Sequence, residues 1–297
     1  MSIQEKRNRI KRNERQPNPT PIRLTERDIE IVRAIFDYRV LTTDHLKALF
    51  FPSYHQAYNR LAALYHHGFL DRRFLGAYID MNNSPIVYVL DERGADLIRR
   101  NPREGIEKDF MLEWRSESKQ VGIQFLEHSL AINTVRVAVA KACQQSDDFA
   151  ILRWLSESDL KDNYDYVTIR TETGRPQRIS IIPDGYFVLQ TPLGTAHFFL
   201  EQDRGTMSNR RFKNKILAYQ MYYQSGMYEK RYNTKSLRVL TVASSPNRVN
   251  NLVRVTQEAD GKQRYWFTTL ANATPENILR QPIWQVATNP GTHILIE

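Results

Sequence analysis

The sequence predicts a mixed α+β chain in two parts, a winged helix-turn-helix followed by an α/β layer domain with a mixed sheet, and three observations carry the prediction. Three helical patterns in succession, each opened by a Ser or Thr cap, lead into two short apolar strands. A polar stretch without periodicity, residues 101–122, then separates this part from the rest. Beyond it helix and strand patterns alternate, an order that gives an α/β layer architecture with a mixed sheet. With 297 residues, 41 % hydrophobic and 25 % charged, the chain is globular and long enough for two packed domains. The expected divisions are a basic flexible arm over 1–23, the winged helix over 24–100, a linker over 101–122 and the second domain over 123–297.

The arm is charged and Asn/Pro-rich and ends in "QPNPTP". In "LTERDIEIVRAIFDY", Thr25 and Asp28 make a capping-box-like start, and Leu24, Ile29, Val32, Ile35 and Phe36 recur near helical spacing. "LTTDHLKALFF" repeats the device with Thr42 or Thr43 as cap, Leu46, Leu49 and Phe50 on one face and Pro52 closing it. "SYHQAYNRLAALYHHG" is the third helix, capped by Ser53 and ended by Gly68. "FLDRRFL" and "SPIVYVL" are strands around the polar loop "GAYIDMNNS", and "DERGADLIRR" is a short helix.

In a winged helix the third helix enters the major groove. Its expected exposed residues, His55, Gln56, Tyr58, Asn59 and Arg60, suit base edges and phosphates, with Arg72 and Arg73 on the wing. The same form also serves as a docking or dimerisation module, and residues 24–100 are neutral, with ten basic and ten acidic side chains. Double-stranded DNA and a homodimer partner both stay open on that ground. The arm, with seven basic residues against two acidic, supplies the missing charge.

In the second domain "LEHSLAINTVRVAVAKAC" is a long helix, and "FAILRWLS" and "YDYVTIRT" are strands. "RISIIPDGYFVL" and "TAHFFLEQDR" are strands around the turn "QTPLG". "SNRRFKNKILAYQMYYQSG" is a helix, "SLRVLTVASS" a buried strand, "PNRVNNLVRVTQEA" a helix with Pro246 at its start, and "RYWFTTL" a last strand. From Arg204 to Arg238 there are nine basic residues and one acid, Glu229. Such a segment suits a polyanion, with Arg204, Arg210, Arg211 and Lys213 as phosphate contacts; a solvated basic surface is the alternative.

Asp184, Glu201 and Asp203 are the candidate chemistry. Residues two apart on a strand share a face, so Glu201 and Asp203 point the same way, and Asp184 reaches the same region if the two strands pair. Three carboxylates around one point suit Mg²⁺ or Mn²⁺, which polarise a phosphate and activate water. Acids gathered at wet strand ends are the other reading of the same spacing.

The "PDG" strand followed by "EQD" within a helix-strands-helix-strand order resembles the PD-(D/E)XK nuclease superfamily. The chain from residue 24 is similar to the replication-relaxation family of plasmid and mobile-element proteins, through "EHSLAINTVR", "PDG", "FLEQDRGT" and "KNKILAYQMYY". The resemblance implies a restriction-endonuclease-like second domain, a role in plasmid replication and DNA relaxation, and a replication, relaxase or transposition protein among the partners. It assigns Asp184 and Glu201 to the metal-binding acids, with Glu127 as an additional ligand. The superfamily lysine belongs at 203, where this chain has Asp203; Lys213 or Lys215, on the following helix, can take that role. Lys215 and Tyr219, four apart on one helix face, resemble the Gln/Tyr pair that holds DNA over such sites. A catalytically inactive DNA-binding regulator is the alternative to a nickase.

Other chemistry is poorly supported. No histidine pair has the spacing of a rolling-circle metal motif, and no G-x-x-x-x-G-K-[ST] is present. Tyr222 and Tyr223 fall at helical spacing, where tyrosines stack and pack. The single cysteine, Cys143, excludes a disulfide framework and a multi-cysteine zinc site. No apolar run approaches a membrane span and no secretory signal is evident, so a cytoplasmic location is expected.

Overall fold

The computed structural model describes residues 11–75, 84–101, 123–171 and 173–296. The chain divides into two compact units, residues 1–133 and 134–297. Residues 102–122 of the expected linker and 1–10 of the expected arm lie outside the described residues.

The first unit contains α1 (Glu26–Tyr38), β1 (Leu41–Thr42), α2 (Thr43–Phe50), α3 (Tyr54–His66), β2 (Leu70–Phe74), β3 (Ile86–Leu90) and α4 (Glu92–Arg100). The caps read from sequence form: Thr25 with Asp28 closes a full capping box, and Thr42 and Ser53 cap the next two helices. The apolar faces of these helices meet the hairpin in a core of Ile31, Ile35, Leu46, Leu61, Leu64 and Val87. The hairpin gains a third strand that sequence does not predict, because two-residue β1 pairs with β3 in the order β1-β3-β2. Gly94 is required at the start of α4, since a Cβ there would lie 2.2 Å from the Phe69 carbonyl oxygen.

Residues 11–16 depart from the expected free arm. The Arg12 guanidinium donates to the Ser84 carbonyl and its own carbonyl accepts from Arg72, while Arg15 pairs with Asp91 at 2.6 Å and lies over the Tyr65 ring. These contacts order the segment because cations near carboxylates and aromatic faces offset the entropy of fixing it.

α5 (Ile123–Gln144) spans the boundary between the units. Within the first unit its Leu126 and Leu130 pack on Val40, Val87 and Val89, and the Asn133 amide donates to the carbonyls of Tyr38 and Val40. The second unit continues with β4 (Ala150–Ser156), α6 (Glu157–Asp162), β5 (Asp165–Arg170), β6 (Pro176–Ile181), β7 (Gly185–Thr191), β8 (Gly194–Asp203), α7 (Asn209–Gln224) and α8 (Met227–Tyr232). β9 (Arg238–Ala243), α9 (Pro246–Glu258), β10 (Tyr265–Thr269), β11 (Trp284–Val286) and β12 (Asn289–His293) complete it.

Seven strands form one mixed sheet in the order β12-β11-β10-β9-β8-β7-β4. β4, β7 and β8 are antiparallel neighbours; β8, β9 and β10 run parallel, joined by α7 and α9 as crossovers. Phe212, Ile216 and Tyr219 of α7 and Val249, Leu252 and Val255 of α9 share one core with Phe199, Val239 and Phe267, so both helices cover the same face.

Sequence reads "RISIIPDGYFVL" as one strand, and the structure corrects this. The run breaks at residues 182–184: β6 pairs with β5 in a separate two-stranded ribbon, and β7 enters the large sheet. Pro183 has no N–H for a ladder and ends the first strand. No helix among the described residues is long and apolar enough to cross a membrane.

Candidate functional site

The second unit gathers its acids at the carboxyl ends of the parallel strands β8 and β9, the edge where open α/β sheets place ligands. Glu201 and Asp203 share the helix-covered face, as their spacing requires, yet they meet different partners. Glu201, 5 % exposed, accepts at Oε2 from Lys215 Nζ and at Oε1 from the Tyr219 hydroxyl, both carried by α7. Ser208 caps that helix, and Phe212, Ile216 and Tyr219 form the buried stripe that turns Lys215 and Tyr219 to the strand end.

Asp184 stands in the break between β6 and β7. Its Oδ2 accepts from the backbone N–H of Gln202 at 2.7 Å, which fixes it across the β7–β8 pairing from Glu201. Its charge acts on Glu201, Lys215 and Tyr219 alike. Burial pushes the Glu201 carboxyl up to about 7, and Asp184 adds to the rise against the opposing pull of Lys215 and Tyr219. Burial alone would lower Lys215, but the two acids outweigh it and hold the ammonium above its ordinary value. The Tyr219 phenol is raised well above its ordinary value by burial and by Glu201, so it remains a donor.

Asp203 does not join this group, which corrects the expectation of three convergent carboxylates. Both its oxygens are held by Arg248 of α9, Oδ1 from Nε and Oδ2 from Nη2, each at 2.8 Å. Oδ1 also accepts from the Gly205 N–H at 2.8 Å, in a turn that needs the φ of +81° at Gly205. Arg248 further donates to the Met207 carbonyl, so Asp203 closes a strand-to-helix turn. Glu127 lies on α5 among residues grouped with the first unit. Among the described residues no group of three or more His, Cys, Asp or Glu is placed to hold a metal ion.

Of the two lysines on α7, Lys215 is the one seated on the acid; Lys213 is partly buried elsewhere on the helix. Arg210 and Arg211 are exposed in its first turn, and Arg204 is partly buried. In the first unit His55, Gln56 and Asn59 are exposed on α3, with the Asn59 amide 2.9 Å from His55 Nε2, and Tyr58 is half-buried. Arg60 is instead tied to buried Asp28, with Nε on Oδ1 at 2.7 Å. Arg72 is buried, over the Tyr65 ring, and Arg73 pairs with Asp71 on the same strand.

Two neighbours of the site escape a reading of the sequence. Thr241 of β9 is the register partner of Glu201, and its hydroxyl is buried there without a hydrogen-bond partner. Arg248 carried a faint signal: a cation in the first turn of a helix opposes the helix dipole and calls for an anion beside it.

Fold and cluster together define a mixed α+β protein whose second unit closes a buried acid–lysine–tyrosine group at the end of its parallel strands. The chain belongs to the replication-relaxation family, whose model matches residues 32–237, and this membership suggests a role in the replication or relaxation of mobile elements. The matched span includes Asp184, Glu201, Lys215 and Tyr219 and stops short of Arg248. No curated protein and no solved structure matches the chain significantly.

Proposed function

We propose that the protein binds double-stranded DNA of a plasmid or mobile element and nicks or cleaves it with a divalent metal. In this reading the first unit is a winged helix that selects the site with His55, Gln56, Tyr58 and Asn59, and the second is a PD-(D/E)XK nuclease-like domain. The observation that carries the reading is the seat of Lys215 on Glu201 beside Asp184. The lysine missing from the strand at Asp203 is supplied from the next helix.

Asp184 and Glu201 fit a hard cation. Each carboxylate oxygen has two lone pairs, and the Glu201 oxygens each accept one hydrogen bond from Lys215 or Tyr219. Asp184 and Glu201 would hold Mg²⁺ or Mn²⁺, and the ion would supply charge stabilisation to a phosphate and acidify water. Tyr219 holds the Glu201 carboxylate in one orientation. Lys215 keeps an ammonium at the acid pair, where it stabilises negative charge gathering on a phosphate. Arg210 and Arg211, exposed at the amino end of α7, hold the strand beside it.

A second reading, a non-catalytic DNA-binding regulator or an adaptor for a replication or transposition partner, is favoured by one observation. Both Glu201 oxygens already have donors within the chain and its side chain is 7 % exposed. Supercoiled plasmid incubated with the protein and Mg²⁺ or Mn²⁺ decides between them. Conversion to open-circle or linear DNA that Asp184→Ala and Lys215→Ala abolish supports the nickase; no conversion with either metal, or conversion unchanged in Asp184→Ala, overturns it.

A further inference from the structure

The ribbon of β5 and β6 belongs to neither of the basic segments that composition singles out, and it has two unlike faces. Its inner face, Val167, Ile169 and Ile181, is buried in the core beneath α7. Asp165 also turns inward and accepts from the Tyr222 hydroxyl at 2.6 Å and from Arg231 at 3.2 Å. The outer face carries Tyr166, Thr168 and Arg170 on β5 against Ser180, Arg178 and Pro176 on β6, all exposed.

Arg175 is exposed at the turn, which is closed by Gly174 N–H on the Thr171 carbonyl at 2.8 Å with Gly174 at φ +75°. Among the described residues none of Arg170, Arg175 and Arg178 is paired with an acid; Glu172 lies outside them. The Arg178 guanidinium sits 3.1 Å from the centroid of the Tyr166 ring, which holds it in place without neutralising it.

We infer that this outer face is a DNA-binding ribbon, with Arg170, Arg175 and Arg178 contacting backbone phosphates. Two exposed cations on the outer face and a third at its turn complement a polyanion. A two-stranded ribbon also has the width that a major groove admits. Its position ties it to the candidate site. β6 leads into Asp184 through Ile182 and Pro183 alone, and Gln177 of β6 accepts from the amide of Asn214, the residue before Lys215, at 3.1 Å. β6 thus runs from the cations at the turn directly to the acid pair. The inference rests on the reading of the chain as a DNA-binding protein, and not on cleavage.

The test is the salt dependence of binding by the full-length protein to a fluorescent duplex in metal-free buffer. In the triple variant Arg170→Gln, Arg175→Gln, Arg178→Gln the slope of log affinity against log salt falls by roughly 2 to 3, as expected for three lost phosphate contacts. The triple Arg→Lys variant keeps the wild-type slope. An unchanged slope in the glutamine variant overturns the ribbon alone, and so does an equal loss in the lysine variant, which would mark a structural defect. A ribbon that docks an acidic protein segment gives that same unchanged slope. Absence of any duplex binding by the wild-type chain overturns the DNA-binding reading itself.

Discussion

Each unit buries a carboxylate against a cation carried by a different element, and the two acids are pushed in opposite directions. Asp28 is fully buried, yet its pKa is lowered. Burial alone would raise it, but the Arg60 fork and the Thr25 backbone and hydroxyl donors together outweigh that cost. Glu201 is shielded from solvent on more sides, and burial raises its pKa first of all. A lysine is a point donor and a phenol is neutral, and Asp184 adds a like charge that Asp28 does not face. The contrast separates an anion held charged by a guanidinium fork from an acid whose burial and like-charged neighbour favour its neutral form.

The largest expected effect is on the fixed pair. Arg60→Met leaves buried Asp28 charged with only the Thr25 donors, and unfolding in denaturant should show a loss of about 3 kcal/mol; a loss under about 1 kcal/mol would break the contrast. Asp203→Ala, which strands Arg248, should cost about 3 kcal/mol for the same reason. If plasmid nicking occurs, this variant should retain it once folded, because Asp203 stands outside the acid pair.

Stability against pH sharpens the comparison further. The Asp28 contribution is present above its unfolded value of 3.8 and is lost as the pH falls below it. The Glu201 contribution has the opposite sign: it is complete below 4.5 and is lost as the pH rises through about 7. Thermal unfolding in chelator should therefore give a flatter profile over that upper interval for Glu201→Gln, by roughly 2 kcal/mol. Tyr219→Phe should cost about 1.5 kcal/mol, the worth of a hydrogen bond to a charged group, and should move the Glu201 titration upward. The smallest effect belongs to Arg254→Ala, whose pair with Glu258 is about half exposed at both ends; about 0.3 kcal/mol is expected.

The sequence shows its helices well because their caps and apolar stripes are local. Thr25, Thr42 and Ser53 each announce a helix that forms. What it hides is long-range. A two-residue strand such as Leu41–Thr42 has no periodicity to read, and a strand that changes sheets at Pro183 keeps one unbroken apolar pattern. The spacing of Glu201 and Asp203 places them on one face correctly. It cannot say that α7 covers one and α9 the other, since the choice depends on crossovers that no local pattern encodes. Lys215 was legible as a candidate through its place on the next helix; Arg248 stood beyond the motif that drew the eye.

The step from ribbon to sheet has a mechanical side. Only Ile182 and Pro183 separate the last ribbon residue from Asp184, a reach of at most roughly 10 Å, and the proline ring freezes one of the few torsions in it. Ribbon and acid are thus set by one short stretch of chain whose two ends are both pinned, Ile181 in the core and Asp184 on the Gln202 N–H.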